Sequence, residues 1–322
     1  MEDLYDSGNL YHSIEYAQYD YLQRGQHTKA EEMLSRMESI IDKLGGADNW
    51  SKTKTLIWIQ QRMAARQYLE SFGADLSGWD KSAQAGGPLY GSLLPGDVTD
   101  GEMNYAAISE LGMLLVNLLR GLNLKSRLGD KMVKWALNQA RKLELSLKSR
   151  PSVFEYTRHM SRMMRRLMLG LSELTIINQN VYTDKFDEAV RIQKTEMVQS
   201  SATPTLLYSP SYEVSGYCSL LTGATDQARR LFEASLGERM GRTLSLLGLA
   251  RAHSLLGHSE RADFFYQYLR DQLRDADEDN LALMEAVKWA NASKLNISSQ
   301  TLRKEWFWPS YLTHFSIHLA QN

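Results

Sequence analysis

Residues 209–240, SPSYEVSGYCSLLTGATDQARRLFEASLGERM, and residues 241–274, GRTLSLLGLARAHSLLGHSERADFFYQYLRDQLR, repeat each other at an offset of 34. Gly223 pairs with Gly257, Ala228 with Ala262, Phe232 with Tyr266 and Gly216 with Ala250. A period of this length is one helix–turn–helix unit, and such units stack so that each hairpin buries its apolar face on the next. Small residues sit where the two helices of a hairpin cross closely, and large ones fill the gap to the neighbouring hairpin.

The rest of the chain agrees with a helical array. Apolar residues recur at helical spacing almost throughout, and no long alternating strand pattern occurs. Six prolines in 322 residues favour helix over a loop-rich β fold. The periodicity predicts a hairpin from Gly8 to Leu44 with a turn at Arg24-Gly25-Gln26, then helices over about 52–72, 102–120, 128–148, 152–178, 185–199 and 280–294. Thr28-Lys29-Ala30-Glu31 has the form of a capping box opening the second helix. The N-terminal hairpin fills the same slots as the repeats, with Ile14, Ala17-Gln18, Tyr21, Ala30 and Leu34, and its turn glycine, Gly25, falls in register with Gly223 and Gly257.

Composition bounds the function. Hydrophobic content of 43% against 23% charged residues is that of a folded globular chain rather than a disordered one. A net charge of −1 supplies no basic field for nucleic acid or for an anionic membrane, so neither is expected as a partner. One cysteine, Cys218, permits no intramolecular disulfide. The N-terminus lacks a signal-peptide pattern and no apolar run approaches membrane-spanning length, so a cytoplasmic location is expected.

The repeat slots, Tyr212, Ser215-Gly216, Ser219, Ala228 and Phe232, then Leu246, Leu249-Ala250, His253, Ala262 and Tyr266, resemble the tetratricopeptide-repeat (TPR) superfamily. Two segments, His12-Ser13-Ile14-Glu15-Tyr16 to Gly25 and Thr203-Pro204 to Ala252, are similar to a largely uncharacterised, mostly bacterial group of such proteins. The resemblance implies an all-α fold, an α-solenoid of TPR-like hairpins forming one domain over residues 1–322. The closing proline of the unit is replaced by Asp42, Met240 and Arg274. Against the group's pattern the chain looks short at its N-terminus, which predicts an uncapped first hairpin.

In such solenoids the first helix of each hairpin lines the concave face. That places Glu15, Tyr19, Glu213, Tyr217 and Arg251 there as candidate binding residues. Tyrosine combines a rigid apolar body with a polar tip, a common interface anchor, yet the same residues would also serve to pack neighbouring hairpins. The Lys and Asn that clamp a peptide carboxylate in some repeats of this kind are absent.

Other motifs are weaker. The glycine-rich stretch 73–101 cannot sustain helix, and reads as a tolerated insertion or as a lid over the groove. His314 and His318 lie four apart without a third ligand, so no metal is expected. Arg158, Arg162, Arg165 and Arg166 share a helix with Met160, Met163, Met164 and Met168, and read as a solvated stripe opposite a methionine core or as an anion site. Cys218 reads as a buried small hydrophobe. The aromatic tail 305–322 reads as a cap on the last hairpin or as a contact for a second copy. No phosphate loop, nucleophile elbow or zinc cluster occurs, so no cofactor is expected. The sequence therefore points to a non-catalytic binding or scaffold protein that holds a peptide or protein partner. A small-molecule site or enzyme under the 73–101 loop, and a homo-oligomeric structural subunit, are the alternatives.

Overall fold

A computed structural model describes residues 8–70, 99–124, 126–150, 153–176, 183–196 and 211–294, together with 306 and 309. The described residues form twelve α-helices: α1 (Gly8–Gln23), α2 (His27–Lys43), α3 (Trp50–Glu70), α4 (Asp100–Leu124), α5 (Arg127–Lys148), α6 (Glu155–Ile176), α7 (Asp184–Glu196), α8 (Ser211–Leu221), α9 (Thr225–Glu238), α10 (Thr243–Leu255), α11 (Ser259–Gln272) and α12 (Leu281–Lys294). The fold class is all-α. The glycine-rich stretch lies outside the described residues except at its last positions. Helix 4 begins there, with Thr99 and Glu102 in a reciprocal capping box: Thr99 N–H donates to Glu102 Oε2 at 3.0 Å, and Glu102 N–H to Thr99 Oγ1 at 3.4 Å.

Each helix packs on the next in sequence, and α4, α6, α8 and α10 also form a row in which each touches the following member. Burial follows this division. Every residue of α8 is buried, as is every residue of α10 from Thr243 to Ser254, whereas α9 buries only Ala228, Phe232 and Ser235, and α11 only Ala262, Tyr266 and Leu269. An inner helix enclosed all round needs no polar face, and an outer helix needs only one apolar stripe. The α4 segment Glu102–Leu124 is long and apolar enough to cross a membrane by length and composition, with mean hydropathy 1.3. In the fold it serves as a core helix, 83% of that window being buried against its neighbours.

The repeated turns are built alike. Gly25, Gly223 and Gly257 have φ of 70°, 80° and 75°, a left-handed conformation that costs a side-chain-bearing residue about 1 kcal/mol or more. In each turn the glycine N–H donates to a carbonyl three residues back, and the next N–H to one five back: to Leu22 and Tyr21, to Leu220 and Ser219, and to Ser254 and His253. These are Schellman closures, and they satisfy the last carbonyls of α1, α8 and α10. Ala30, Ala228 and Ala262, all 0% exposed, mark the close crossing in each hairpin.

The first hairpin does not stand open. Its turn end packs on the loops of the last repeats: Gln26 Nε2 donates to Asp275 O (2.8 Å), Asp277 N–H to Gly25 O (3.1 Å), and Thr243 N–H to Gln23 Oε1 (2.9 Å). Gln272 Nε2 donates to both Gln23 O (2.8 Å) and Gly241 O (2.9 Å). The local capping box expected at Thr28 is not what forms. Helix α2 starts at His27, and Thr28 N–H and hydroxyl both donate to Asp277 Oδ2, 249 residues away. A carboxylate from the far end of the chain thus takes the place of Glu31 at the positive end of α2.

Candidate binding site on the inner helices

Three buried charges, Glu15 on α1, Glu213 on α8 and Arg251 on α10, are each paired within the chain. Glu15 on α1 lies at 0% exposure between two guanidiniums of α3: Arg62 Nε and Nη2 reach its two oxygens at 2.7 and 2.5 Å, and Arg66 Nη2 reaches Oε1 at 2.9 Å. Burial alone would raise the pKa of this carboxyl. Arg62, a bond from His12 and Arg66 outweigh it and hold the pKa far below the usual carboxylate range. Glu15 is therefore an acceptor already filled from within the chain.

Glu213 on α8 meets Arg242, the residue preceding α10. Arg242 Nη2 lies 2.7 Å from Glu213 Oε1 and Nε lies 3.0 Å from Oε2, a bidentate pair completed by the Ser245 hydroxyl at 2.5 Å. The same Nη2 donates to Glu70 Oε1 of α3 at 2.9 Å, and Gln23 Nε2 donates to Glu70 Oε2 at 3.3 Å. Two carboxylates share one guanidinium. Burial, reinforced by the Glu213 charge, raises the Glu70 pKa despite Arg242.

The third cluster surrounds Arg251 on α10, itself 0% exposed. Its Nε donates to Glu285 Oε1 on α12 at 2.8 Å and its Nη2 to Glu285 Oε2, while Tyr266 hydroxyl donates to Oε1 at 3.0 Å. Burial opposes the charge on Arg251, but Glu285 holds it firmly protonated. The guanidinium carbon stands 6.0 Å from the ring centroid of Tyr217 and 4.9 Å from that of Trp306, within the range of cation–π attraction. Tyr217, Arg251 and Glu285 are separated by 34 residues each, so one slot in three successive hairpins stacks into a ladder.

The five candidates thus have distinct placements. Glu15, Glu213, Tyr217 and Arg251 are each 0% exposed and bonded within the chain, Tyr217 through its hydroxyl to Leu244 O at 2.6 Å. Tyr19 is half-buried with its ring 5.8 Å from the Arg66 guanidinium. Glu15 and Tyr19 meet at Arg66, and Glu213 is held by Arg242. Tyr217 and Arg251 lie together, with Trp306 of the aromatic tail also beside the guanidinium. Of that tail only Trp306, 7% exposed, and Pro309 are among the described residues.

Sequence reasoning missed Arg62, Arg66, Glu70, Arg242 and Glu285. The last was in reach, since adding 34 to Arg251 gives Glu285, and the same step takes Cys218 to Ala252 and Ala286, all 0% exposed. The remaining motifs are absorbed by packing. Arg162, Arg165 and Arg166 are half-buried and pair with Glu196 (2.9 Å), Glu144 (3.1 Å) and Glu188 (2.5 Å), while Met160, Met163, Met164 and Met168 are core. Cys218 is buried and its thiol pKa is raised by that burial, which leaves it a poor nucleophile. His314 and His318 lie outside the described residues. Among the described residues no group of three His, Cys, Asp or Glu is placed to hold a metal ion.

Comparison of the chain with protein-family models, with curated proteins and with solved structures finds no match.

Proposed function

We propose that this protein is a non-catalytic binding or scaffold protein, a TPR-like α-solenoid whose inner face holds a peptide or protein segment. The observation that carries this reading is the seat on Arg251. There, on the inner helix row, a side chain from outside the described helices already lies against the slot residue Arg251, which also faces Tyr217. The buried ion pairs, Glu15 with Arg62 and Arg66, and Arg242 with Glu213 and Glu70, fix α1, α3, α8 and the start of α10 against one another, which preorganises the fold for a segment. A displayed peptide library selected on the full chain tests the reading. Peptides binding below about 100 µM should protect amides of α8, α10 and α12 from hydrogen exchange. Absence of such peptides, or turnover of a substrate abolished by removal of one polar side chain, would end it.

One observation favours the homo-oligomeric subunit as a second reading. Helices α11 and α12 expose Phe264, Tyr268, Met284 and Val287, apolar side chains suited to a second copy. Light scattering decides it, because a clean monomer at 36.7 kDa removes that assembly.

A further inference from the structure

Tyr217 and Trp306 belong to the hydrophobic core, and three features of the Arg251 cluster within it bear on what it can hold. First, the edge of the guanidinium is committed. Nε and Nη2 bond both oxygens of Glu285, and Tyr266 fixes that carboxylate from the other side, so Arg251 keeps its orientation whatever lies on its faces. Second, aromatic rings approach the guanidinium, Tyr217 at 6.0 Å and Trp306 at 4.9 Å, and the indole is the aromatic side chain that a cation attracts most strongly. Third, the two rings differ in origin. Tyr217 belongs to α8, whereas Trp306 lies outside the described helices, with eleven residues (295–305) between it and Lys294 of α12.

We infer that Arg251, Glu285 and Tyr217 form a seat for a tryptophan side chain, filled at rest by the chain's own Trp306 and taken over by a tryptophan-bearing segment of a protein partner. This rests on the reading of the inner helices as a segment-binding face. It adds the ligand chemistry and a self-competing occupant. A ligand carried on the same chain has an effective concentration on the order of millimolar. A partner segment of micromolar intrinsic affinity would then bind the intact chain far more weakly than a chain whose seat is empty.

The test uses the full-length chain, its Trp306→Ala variant and a fluorescent synthetic peptide of residues 301–312 as the probe. The variant, with unchanged far-UV circular dichroism, should bind the peptide at least tenfold more tightly than the wild type, and a peptide carrying Trp306→Ala should bind neither. Equal binding by the two chains, or none by the folded variant, overturns the inference. Where Trp306→Ala does not fold, a wild-type chain with a protease site between Ser298 and Ser299 is cut after folding. Exchange of the cut tail for the labelled peptide supports the seat, and unfolding on release of the tail makes Trp306 a core residue and overturns it. Library peptides that protect α8 and α10 equally in both chains would leave the proposed function standing and remove the self-ligand.

Discussion

Among the described residues, Glu110 is a buried carboxyl that no cation answers. It lies in α4 at 7% exposure, its Oε2 has no hydrogen-bond partner, and burial pushes its pKa up to about 7. An unfolded glutamate titrates near 4.3. Between these values the folded state holds a proton that the unfolded state has released, so stability falls as pH rises and levels off above pH 7. The full penalty is on the order of 3 kcal/mol. Glu110→Gln keeps the shape and removes the charge. Thermal melts should therefore place the variant several degrees above the wild type at pH 8, with the gap closing towards pH 5. A gap independent of pH would mean that Glu110 finds a partner when ionised.

Hairpins are held by glycine against an aromatic ring, and this makes a prediction at the scale of the element. A Cβ on Gly216 would lie 2.8 Å from Phe232 Cε1, and one on Gly248 only 2.3 Å from Phe232 Cζ, so the ring is clamped between α8 and α10. Gly248→Ala should cost about 1–3 kcal/mol in urea unfolding, because neither the ring nor the helix backbone has room to give. Gly237→Ala, on the exposed side of α9 with nothing within 4 Å, should stabilise by up to about 1 kcal/mol. Equal effects at the two sites would refute the clamp. The same crossing recurs at Gly170, whose Cβ would lie 2.9 Å from Phe186 Cε1 and Cζ, with the same 16-residue separation as Gly216 and Phe232. It escaped the repeat search because α6 stands 46 residues before α8, from Gly170 to Gly216, instead of 34. The turn glycines, the crossing alanines and all twelve helices were legible because each rests on contacts within one hairpin. Thr28 shows the limit: Glu31 was the local acceptor on offer, and Asp277 from the other end of the chain took the bond. The candidate site was half legible for the same reason. A period locates Tyr217 and Arg251 in a slot, but it does not say that Arg242 or Glu285 will neutralise what the slot contains.

At the scale of the molecule, the contact that matters most is the one joining α3 to the last repeats. A stack of hairpins open at both ends frays from its termini, each unit being held only by its neighbours. Here Arg242 ties Glu70 to Glu213 across 172 and 29 residues, beside the bonds from Gln23 and Gly25 to Thr243, Gln272 and Asp277. Removing one member of a buried charge cluster leaves the others without compensation, at a cost of about 3–5 kcal/mol. Arg242→Met should therefore lower the urea midpoint sharply and also expose the amides of Thr243 and Asp277 to hydrogen exchange ahead of global unfolding. The two carboxylates should not respond alike. Burial and Glu213 favour the neutral form of Glu70, so Glu70→Gln replaces a group already biased towards carrying no charge. Glu213 accepts two bonds from Arg242 and one from Ser245, and Glu213→Gln puts an amide N–H where one of those donors must bind. The order of destabilisation should be Arg242→Met, then Glu213→Gln, then Glu70→Gln, with the last at about 1 kcal/mol or less at pH 5. Since the Glu70 pKa is raised, its ionisation weakens the fold as pH increases, and the cost of Glu70→Gln should shrink from pH 5 to pH 8. An Arg242→Met chain with an unchanged midpoint would mean that the bonds of Gln23, Gly25, Gln26 and Thr28 to the last repeats hold the first hairpin without the Arg242 cluster.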